Sequence, residues 1–150
     1  MDYMAQAIKE ALEGIENSEG GPFGSVIVKD GKIIGRGHNR VLLKKDPTCH
    51  GEIEAIRNAC QNIGTYDLSG CELYTTAEPC PMCLGAVLWS NISRVYYGCS
   101  RKDTENIGFR DNAFYEYLAG KGKAFSVSER NREDCLKLFD EYKKKNPTIY

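Results

Sequence analysis

The chain contains two stretches in which apolar residues recur every three or four positions, the spacing of one face of a helix. In the first stretch they are Met4, Ile8, Ala11, Leu12 and Ile15. In the second they are Ile53, Ile56, Ala59, Cys60 and Ile63. These patterns predict one amphipathic helix over residues 2–17 and another that Gly64 ends, because glycine accommodates the left-handed conformation that closes many helices.

Shorter apolar segments predict strands. Residues 25–29 and 32–35 flank Asp30-Gly31, a dipeptide that favours a two-residue hairpin turn. Further strands are predicted at residues 72–76, 94–99 and 125–127, and further helices at 81–90, 113–118 and 132–145. Helices between the later strands imply parallel pairing. We therefore predict an α/β fold: a three-layer α/β/α sandwich around a mainly parallel, five-stranded sheet.

Composition narrows the class of protein. A chain of 150 residues, with 41% hydrophobic and 27% charged residues, is typical of one globular domain over residues 1–150. The net charge of -1 lacks the basic excess of a nucleic-acid binder, and no apolar run is long enough to span a membrane. The number of cysteines, seven, is odd, and two of them are needed as free thiols for the site described next. We therefore expect a reducing, cytoplasmic location, with no nucleic-acid or membrane partner.

Two short motifs carry the chemistry. His50-Gly51-Glu52 has the form H-x-E, and Pro79-Cys80-Pro81-Met82-Cys83 has the form P-C-x-x-C. This pair of motifs is the signature of zinc-dependent nucleobase deaminases, in which one His and two Cys bind the metal and the Glu moves protons. The metal ligands are therefore predicted to be His50, Cys80 and Cys83, which bind one Zn²⁺ per chain, and Glu52 is the predicted acid/base.

The residue types suit this chemistry. Two thiolates and a neutral imidazole balance the charge of Zn²⁺ and leave its fourth position for water, whose pKa the metal lowers from 15.7 to about 7. Cys80 and Cys83 are three residues apart, so the first turn of a helix would place both sulfurs on one face. We expect His50 at the cap of its helix, so that it and Glu52 reach the same cavity. Glu52 is then free to carry protons.

A closed structural zinc site is the alternative for these motifs. Cys49 adjoins His50, so a set of three Cys and one His is conceivable. Adjacent residues rarely bind one ion without strain, and such a site would have no use for Glu52. His38, the only other histidine, is interpreted as a hydrogen-bonding residue of a loop rather than a ligand.

Several further segments resemble the small bacterial guanine deaminases, which have the cytidine deaminase-like fold. They are Gly20-Gly21-Pro22-Phe23-Gly24, Asp46-Pro47-Thr48, Leu73-Tyr74-Thr75, Leu84-Gly85-Ala86 with Trp89, Gly108-Phe109-Arg110-Asp111 and the terminal Tyr150. The resemblance implies hydrolysis of guanine to xanthine and ammonia. It also implies a homodimer in which the C-terminal segment is exchanged between subunits.

The same resemblance suggests the residues of a purine pocket. Phe23 and Trp89 would line or stack on the base, Asn39 would hydrogen-bond its ring edge, and Tyr150 would close the pocket. Asp111 would hold the amino edge of guanine and carry a second proton. Gly51 is included among the substrate-binding residues. Each position has a structural alternative: core packing for Phe23 and Trp89, a helix cap for Asp111, a turn for Asn39 and a frayed end for Tyr150.

Departures from the family leave other functions open. The family usually has Ala where this chain has Gly51, and His-Gly-Glu is similar to fungal cytosine deaminases, but those close their pocket with a C-terminal Trp and an acidic residue that this chain lacks. The tRNA adenosine deaminases share the zinc motif, although the slight acidity here argues against a phosphate-binding surface. A non-enzymatic zinc-binding subunit is the remaining alternative, which predicts bound zinc and no ammonia from any base.

Overall fold

A computed structural model describes residues 1–150, which form seven helices and four strands. The helices are α1 (Tyr3–Glu16), α2 (Val41–Lys44), α3 (Gly51–Ile63), α4 (Pro81–Trp89), α5 (Arg101–Asn106), α6 (Asp111–Leu118) and α7 (Arg132–Lys144). The strands are β1 (Gly24–Lys29), β2 (Lys32–His38), β3 (Glu72–Ala77) and β4 (Arg94–Cys99). All the helices predicted from the sequence are present, and α2 and α5 are additions. None of the helices has the length and apolar character that a membrane-spanning helix requires.

The four strands form one mixed sheet in the order β2-β1-β3-β4. β1 and β2 are the predicted hairpin, and Asp30 and Gly31 in its turn both have positive φ, at 48° and 75°. β1 is also antiparallel to β3, and only β3 and β4 pair in parallel. The sheet therefore differs from the mainly parallel one that was predicted, because the crossover through α3 places β3 on the far side of β1 from β2.

The predicted fifth strand, at residues 125–127, is not formed. Phe125 and Val127 lie in an irregular segment and are 65% and 79% exposed. Their apolar side chains suggested a strand, but within this chain no sheet edge pairs with them. A strand needs a partner for its backbone hydrogen bonds, which a local pattern cannot supply.

Helices cover both faces of the sheet, as the three-layer prediction requires. α1 packs on one face, against β1 and β3, and α3 packs on the other, against β2 and β1. The core between α3 and the sheet is formed by seven buried residues: Ile27, Ala55, Ala59, Leu68, Cys71, Leu73 and Val87. Burying one such Leu or Ile side chain stabilises the fold by about 1.5–3 kcal/mol.

Close packing of α3 on β2 determines where the first turn of α3 lies. A Cβ atom at Gly35 would lie 2.6 Å from both the Ala55 carbonyl oxygen and the Ala59 Cβ, so only glycine permits this approach. The small side chains of the helix and the strand thus place the start of α3 against the sheet. His50 and Glu52 lie at that start.

The C-terminal part of the chain is poorly covered. α7 has no buried residue, and its Leu138, Phe139 and Tyr142 side chains are 66%, 62% and 47% exposed. At the edge of the sheet, Tyr96 and Tyr97 of β4 are 39% and 47% exposed. Tyr96 stacks on Tyr74 with ring centroids 4.7 Å apart, but both tyrosines of β4 and the apolar side chains of α7 remain largely open to solvent.

Candidate active site

The starts of two helices bring the predicted metal ligands together. His50 is the N-cap of α3 and Cys80 is the N-cap of α4, with Cys83 one turn further along α4. The ligand atoms of these three residues all lie within 4.8 Å of one another. The Nδ1 atom of His50 lies 3.6 Å from the Cys80 Sγ and 3.7 Å from the Cys83 Sγ.

These distances fit tetrahedral zinc. Zinc–sulfur bonds of about 2.3 Å and zinc–nitrogen bonds of about 2.0–2.1 Å, separated by the tetrahedral angle, put S and N about 3.6 Å apart. The residues present supply three ligands of the preferred chemical types, and they leave one position open, as in catalytic rather than structural sites. The chain thus has the donor set and the geometry for the predicted cofactor.

The two cysteine thiols have pKa values shifted in opposite directions. A hydrogen bond from Cys83, together with one from His50, lowers the pKa of Cys80 to about 4, although burial acts in the opposite direction. The hydrogen bond to Cys80 and burial raise the pKa of Cys83. Cys80 is therefore a thiolate at neutral pH, and a divalent cation would replace the Cys83 proton.

Glu52 lies beside the ligands without belonging to them. Its side chain is buried, with Thr75 Oγ1 donating to Oε1 at 3.2 Å and Cys83 Sγ lying 3.2 Å from Oε2. The Thr75 hydroxyl also accepts a hydrogen bond from Ser25 Oγ at 2.9 Å, which ties Glu52 to two strands. Burial raises the pKa of Glu52. A carboxyl group held in this way is suited to exchanging protons with a substrate.

A cavity of about 520 Å³ opens onto this cluster. Its apolar side chains are Phe23, Val41, Leu42, Pro47, Ala77, Met82, Phe109 and Phe114. Its polar side chains are Asn39, His50, Glu52, Glu78, Cys80, Arg110 and Asp111. Aromatic walls and a few convergent polar groups are typical of a site for a flat, partly polar ring.

Three of the predicted substrate residues line the cavity. Phe23 packs edge-on against Phe109, with ring centroids 4.9 Å apart. Asn39 accepts a hydrogen bond from the Val41 N–H at 3.1 Å through Oδ1, so its amide N–H₂ remains available as a donor. Asp111 is the first residue of α6, and burial raises its pKa, with a smaller contribution from Cys80.

Trp89 and Tyr150 are not among the residues that line the cavity of their own chain. Trp89 is the last residue of α4 and 69% exposed, and its ring centroid lies 6.0 Å from that of Tyr150. Because α4 begins at the site and rises about 1.5 Å per residue, its far end lies about 13 Å along the helix from Cys80 and about 9 Å from Cys83. Gly51 is buried under the Phe23 carbonyl rather than in the lining.

Several lining residues were not singled out from the sequence. Phe114 follows Asp111 by three positions in α6, so helical spacing could have placed it on the same face. Phe109 stood within a quoted motif without a role. Val41 and Leu42 belong to the four-residue helix α2, which has no periodic pattern that would reveal it.

A second set of contacts holds the turn that precedes Cys80. The Tyr115 hydroxyl donates a hydrogen bond to the Pro79 carbonyl oxygen. The Arg101 guanidinium lies 4.1 Å from the Tyr115 ring centroid and pairs with Glu78 at 2.8 Å. These contacts link α5 and α6 to the metal-binding turn.

A buried histidine, His38, directly precedes Asn39 of the cavity lining. His38 ends β2, and its Nδ1 lies 3.2 Å from a Glu10 oxygen and its Nε2 lies 2.5 Å from a Glu19 oxygen. Arg40 also donates to Glu19, at 3.1 Å. His38 is thus a hydrogen-bonding residue, as interpreted from the sequence, although it lies at a strand end rather than in a loop.

The chain is similar to known proteins in sequence and in fold. The family model for the cytidine and deoxycytidylate deaminase zinc-binding region matches residues 1–99. The chain is 47% identical over 116 residues to the guanine deaminase of Bacillus subtilis (strain 168), covering 77% of this chain and 74% of that protein. It is 38% identical over 140 residues to a tRNA-specific adenosine deaminase of Buchnera aphidicola, covering 93% and 91%. The X-ray structure of a guanine deaminase from Bacillus subtilis matches with a TM-score of 0.84 and 38% identity, covering 99% of this chain and 94% of that one.

Proposed function

Because this chain belongs to the cytidine and deoxycytidylate deaminase family, we propose that it hydrolyses guanine to xanthine and ammonia. One observation supports hydrolytic deamination as the reaction class. Three zinc-ligand atoms lie within 4.8 Å of one another at an aromatic cavity, beside a buried carboxyl group that is not a ligand. The similarity to guanine deaminases over most of the chain supports the substrate.

His50, Cys80 and Cys83 would hold the zinc. When bound, zinc lowers the pKa of water and supplies hydroxide at neutral pH. In the proposed reaction Glu52 accepts a proton from the attacking water, delivers it to a ring nitrogen, and then helps protonate the departing ammonia. Water adds to the amino-bearing carbon and ammonia leaves, so the overall reaction is guanine plus water to xanthine plus ammonia.

The cavity residues would orient the base. Phe23 and Phe109 provide an aromatic wall, and the free amide N–H₂ of Asn39 can donate to an acceptor on the ring edge. Asp111 can accept from the N–H donors of guanine and carry a second proton. Gly51 is assigned a role in the substrate site through its position beneath Phe23.

A homodimer with exchanged C-terminal segments is part of the proposal. The exposed apolar residues of α7 and the exposed tyrosines of β4 are surfaces that a second copy can cover. Exchange would bring the partner subunit's tail to this chain's cavity, which its own Tyr150 does not reach. Seven free thiols support the cytoplasm as location.

Mixed dimers test the exchange. A chain lacking Tyr150 keeps Glu52, and the E52Q chain keeps Tyr150, so each should be inactive alone. If the tail acts on the partner, co-expression should restore turnover at one of the two sites in a mixed dimer. If the tail acts within its own chain, the mixture stays inactive, and a monomer by light scattering would exclude the dimer.

The substrate is tested by measuring ammonia release by the zinc-loaded protein from guanine, cytosine, adenine and guanosine side by side. Turnover of guanine supports the proposal, and turnover of cytosine instead would favour the cytosine deaminase alternative. The similarity to a tRNA-specific adenosine deaminase makes a tRNA anticodon stem-loop the fifth substrate. Zinc binding without ammonia from any of them would indicate a non-enzymatic zinc-binding subunit.

A further inference from the structure

Two segments that are distant in the sequence form one wall of the cavity. The turn after α1 contributes Gly20 and Gly21, and the segment that runs from the end of β2 into α2 contributes Asn39, Val41 and Leu42. The two segments touch at Asn39, since a Cβ at Gly20 would lie 2.1 Å from the Asn39 Oδ1 and 2.6 Å from its carbonyl oxygen. The orientation of the Asn39 amide therefore depends on how the two segments are held together.

The side chain of Glu19 joins these segments. Glu19 directly precedes Gly20, and its Oε2 atom lies 2.5 Å from Nε2 of His38 and accepts a hydrogen bond from Nε of Arg40 at 3.1 Å. His38 and Arg40 are the two neighbours of Asn39 in the chain. Hydrogen bonds between charged groups are about twice as strong as neutral ones. The carboxylate, whose side chain is 17% exposed, thus holds the segment on both sides of Asn39.

The main chain of Glu19 holds the start of α2. Its carbonyl oxygen accepts hydrogen bonds from the N–H groups of Leu42 and Leu43, both at 3.1 Å. N–H groups in the first turn of a helix have no partner within the helix. α2 has no side-chain cap and no buried residue, so its position depends on contacts of this kind. Because the Val41 N–H in the same turn donates to Asn39 Oδ1 at 3.1 Å, a movement of Glu19 would also move the Asn39 amide.

The metal-binding side of the same segment is held by other atoms. The Asn39 N–H donates to the Phe23 carbonyl oxygen at 2.8 Å. The Arg40 N–H donates at 3.0 Å to the carbonyl oxygen of Cys49, the residue before a metal ligand. Neither hydrogen bond involves the side chain of Glu19. Loss of that side chain should therefore leave the metal ligands in place and loosen only the wall against which the base lies.

We propose that Glu19 is a positioning residue for the base and acts through Asn39. Its carboxylate and its carbonyl oxygen hold the Gly20 turn and α2 together, so that the free amide N–H₂ of Asn39 meets the acceptor on the ring edge. This inference rests on the proposed function, in which Asn39 donates to guanine. Glu19 itself is not among the residues that line the cavity.

The expected effect is on substrate binding more than on chemistry. In E19A the KM for guanine should rise about tenfold, because one hydrogen bond between the protein and the base is misplaced. The change in kcat should be less than about threefold, because a rise in KM at constant kcat is the result of losing a contact that substrate and transition state share.

Glu10 offers a matched control. One of its carboxylate oxygens lies 3.2 Å from Nδ1 of the same imidazole, and its side chain is 15% exposed, close to the 17% of Glu19. It lies within α1, and its ion pairs are with His38 and Arg36 rather than with Arg40. E10A should therefore lose stability much as E19A does, while the KM for guanine keeps the wild-type value.

A double-mutant cycle with N39A tests the route. If Glu19 acts through Asn39, E19A should raise KM little further in the N39A background, because the group that it positions is already gone. A general loosening of the fold would instead raise KM by the same factor in both backgrounds. For each variant, zinc content and unfolding temperature are measured alongside kcat and KM for guanine.

The inference holds if KM rises in E19A, stays unchanged in E10A, and is not raised further by E19A in the N39A background. Folded, zinc-loaded E19A with the wild-type KM would overturn it, as would an equal rise in E10A or an equal factor in the N39A background. Should E19A fail to fold, E19Q decides, since it keeps an acceptor but no charge: KM should rise about threefold, and the wild-type KM overturns the inference. A wild-type protein that releases no xanthine would overturn both proposals, whereas xanthine release with an unchanged KM in E19A overturns only this one.

Discussion

Replacing Glu52 by Gln should abolish turnover while the fold and the metal content stay intact. Gln has nearly the same shape, and its carbonyl oxygen can still accept the hydrogen bond that Thr75 donates at 3.2 Å. An amide cannot carry the proton, however. General acid–base catalysis contributes about 10²- to 10⁴-fold. Because Glu52 both takes and returns a proton, we expect a loss near 10⁴-fold in kcat, or about 5.5 kcal/mol of barrier.

The stability of the metal-free variant gives the same test a second readout. Burial raises the pKa of Glu52, so the folded chain binds this proton more tightly than the unfolded chain does. The free energy of unfolding of the wild type should therefore fall as pH rises from the ordinary Glu pKa through the raised one. E52Q carries no such group, so it should be more stable than the wild type above this window and similar to it below.

Glu54 is the matched control on the same helix. It is also buried, but its carboxylate contacts Lys44 at 2.7 Å, Arg57 at 2.9 Å and Arg40 at 3.7 Å rather than the metal ligands. E54Q weakens these ion pairs. The cations are 38–54% exposed, so we expect a loss of about 1–3 kcal/mol, less than for a fully buried pair.

The two variants should show opposite results when xanthine formation, zinc content and urea unfolding are measured together. E52Q loses turnover and keeps stability, whereas E54Q loses stability and keeps kcat. A folded, zinc-loaded E52Q with more than about a tenth of the wild-type kcat would refute the proton-carrying role. If folded E54Q loses as much turnover as E52Q, the effect reflects distortion of α3 instead.

Three further predictions concern groups around the site. A hydrogen bond from Cys83 lowers the pKa of Cys80 to about 4, so the metal-free protein should show one thiolate by absorbance near 240 nm at pH 6, and C80S should lack it. Tyr115→Phe removes the hydrogen bond to the Pro79 carbonyl, which directly precedes Cys80, and should weaken zinc binding by roughly 10- to 100-fold. A chelator competition measures this affinity, and an unchanged zinc affinity would contradict the positioning role of Tyr115. The hydrogen bond with His38 lowers the pKa of Glu19, so the ionised Glu19 stabilises the fold at neutral pH, and this contribution is lost as the pH falls through the lowered pKa. In urea unfolding, the free energy of unfolding of E19Q should therefore fall less between pH 7 and 3 than that of the wild type.

Local patterns were enough to predict much of this protein. The helical periods, the Asp30-Gly31 turn and the two metal-binding motifs each depend on residues close together in the chain. His50 could be placed at a helix cap because the turn geometry of H-x-E requires it, and the structure has it there. The convergence of His50, Cys80 and Cys83 followed from the known chemistry of zinc ligands.

Contacts between distant segments decided the rest. The mixed sheet depends on the crossover through α3. Residues 125–127 form no strand because they pair with neither of the two edge strands, β2 and β4. The lining of the cavity combines α2, α6 and the loop before β1, and Trp89 is excluded from it by the direction of α4. The clearance under Gly51 depends on a carbonyl 28 positions earlier in the chain. A sequence pattern records the conformational preferences of neighbouring residues, whereas which groups share a cavity depends on how the packed elements cross.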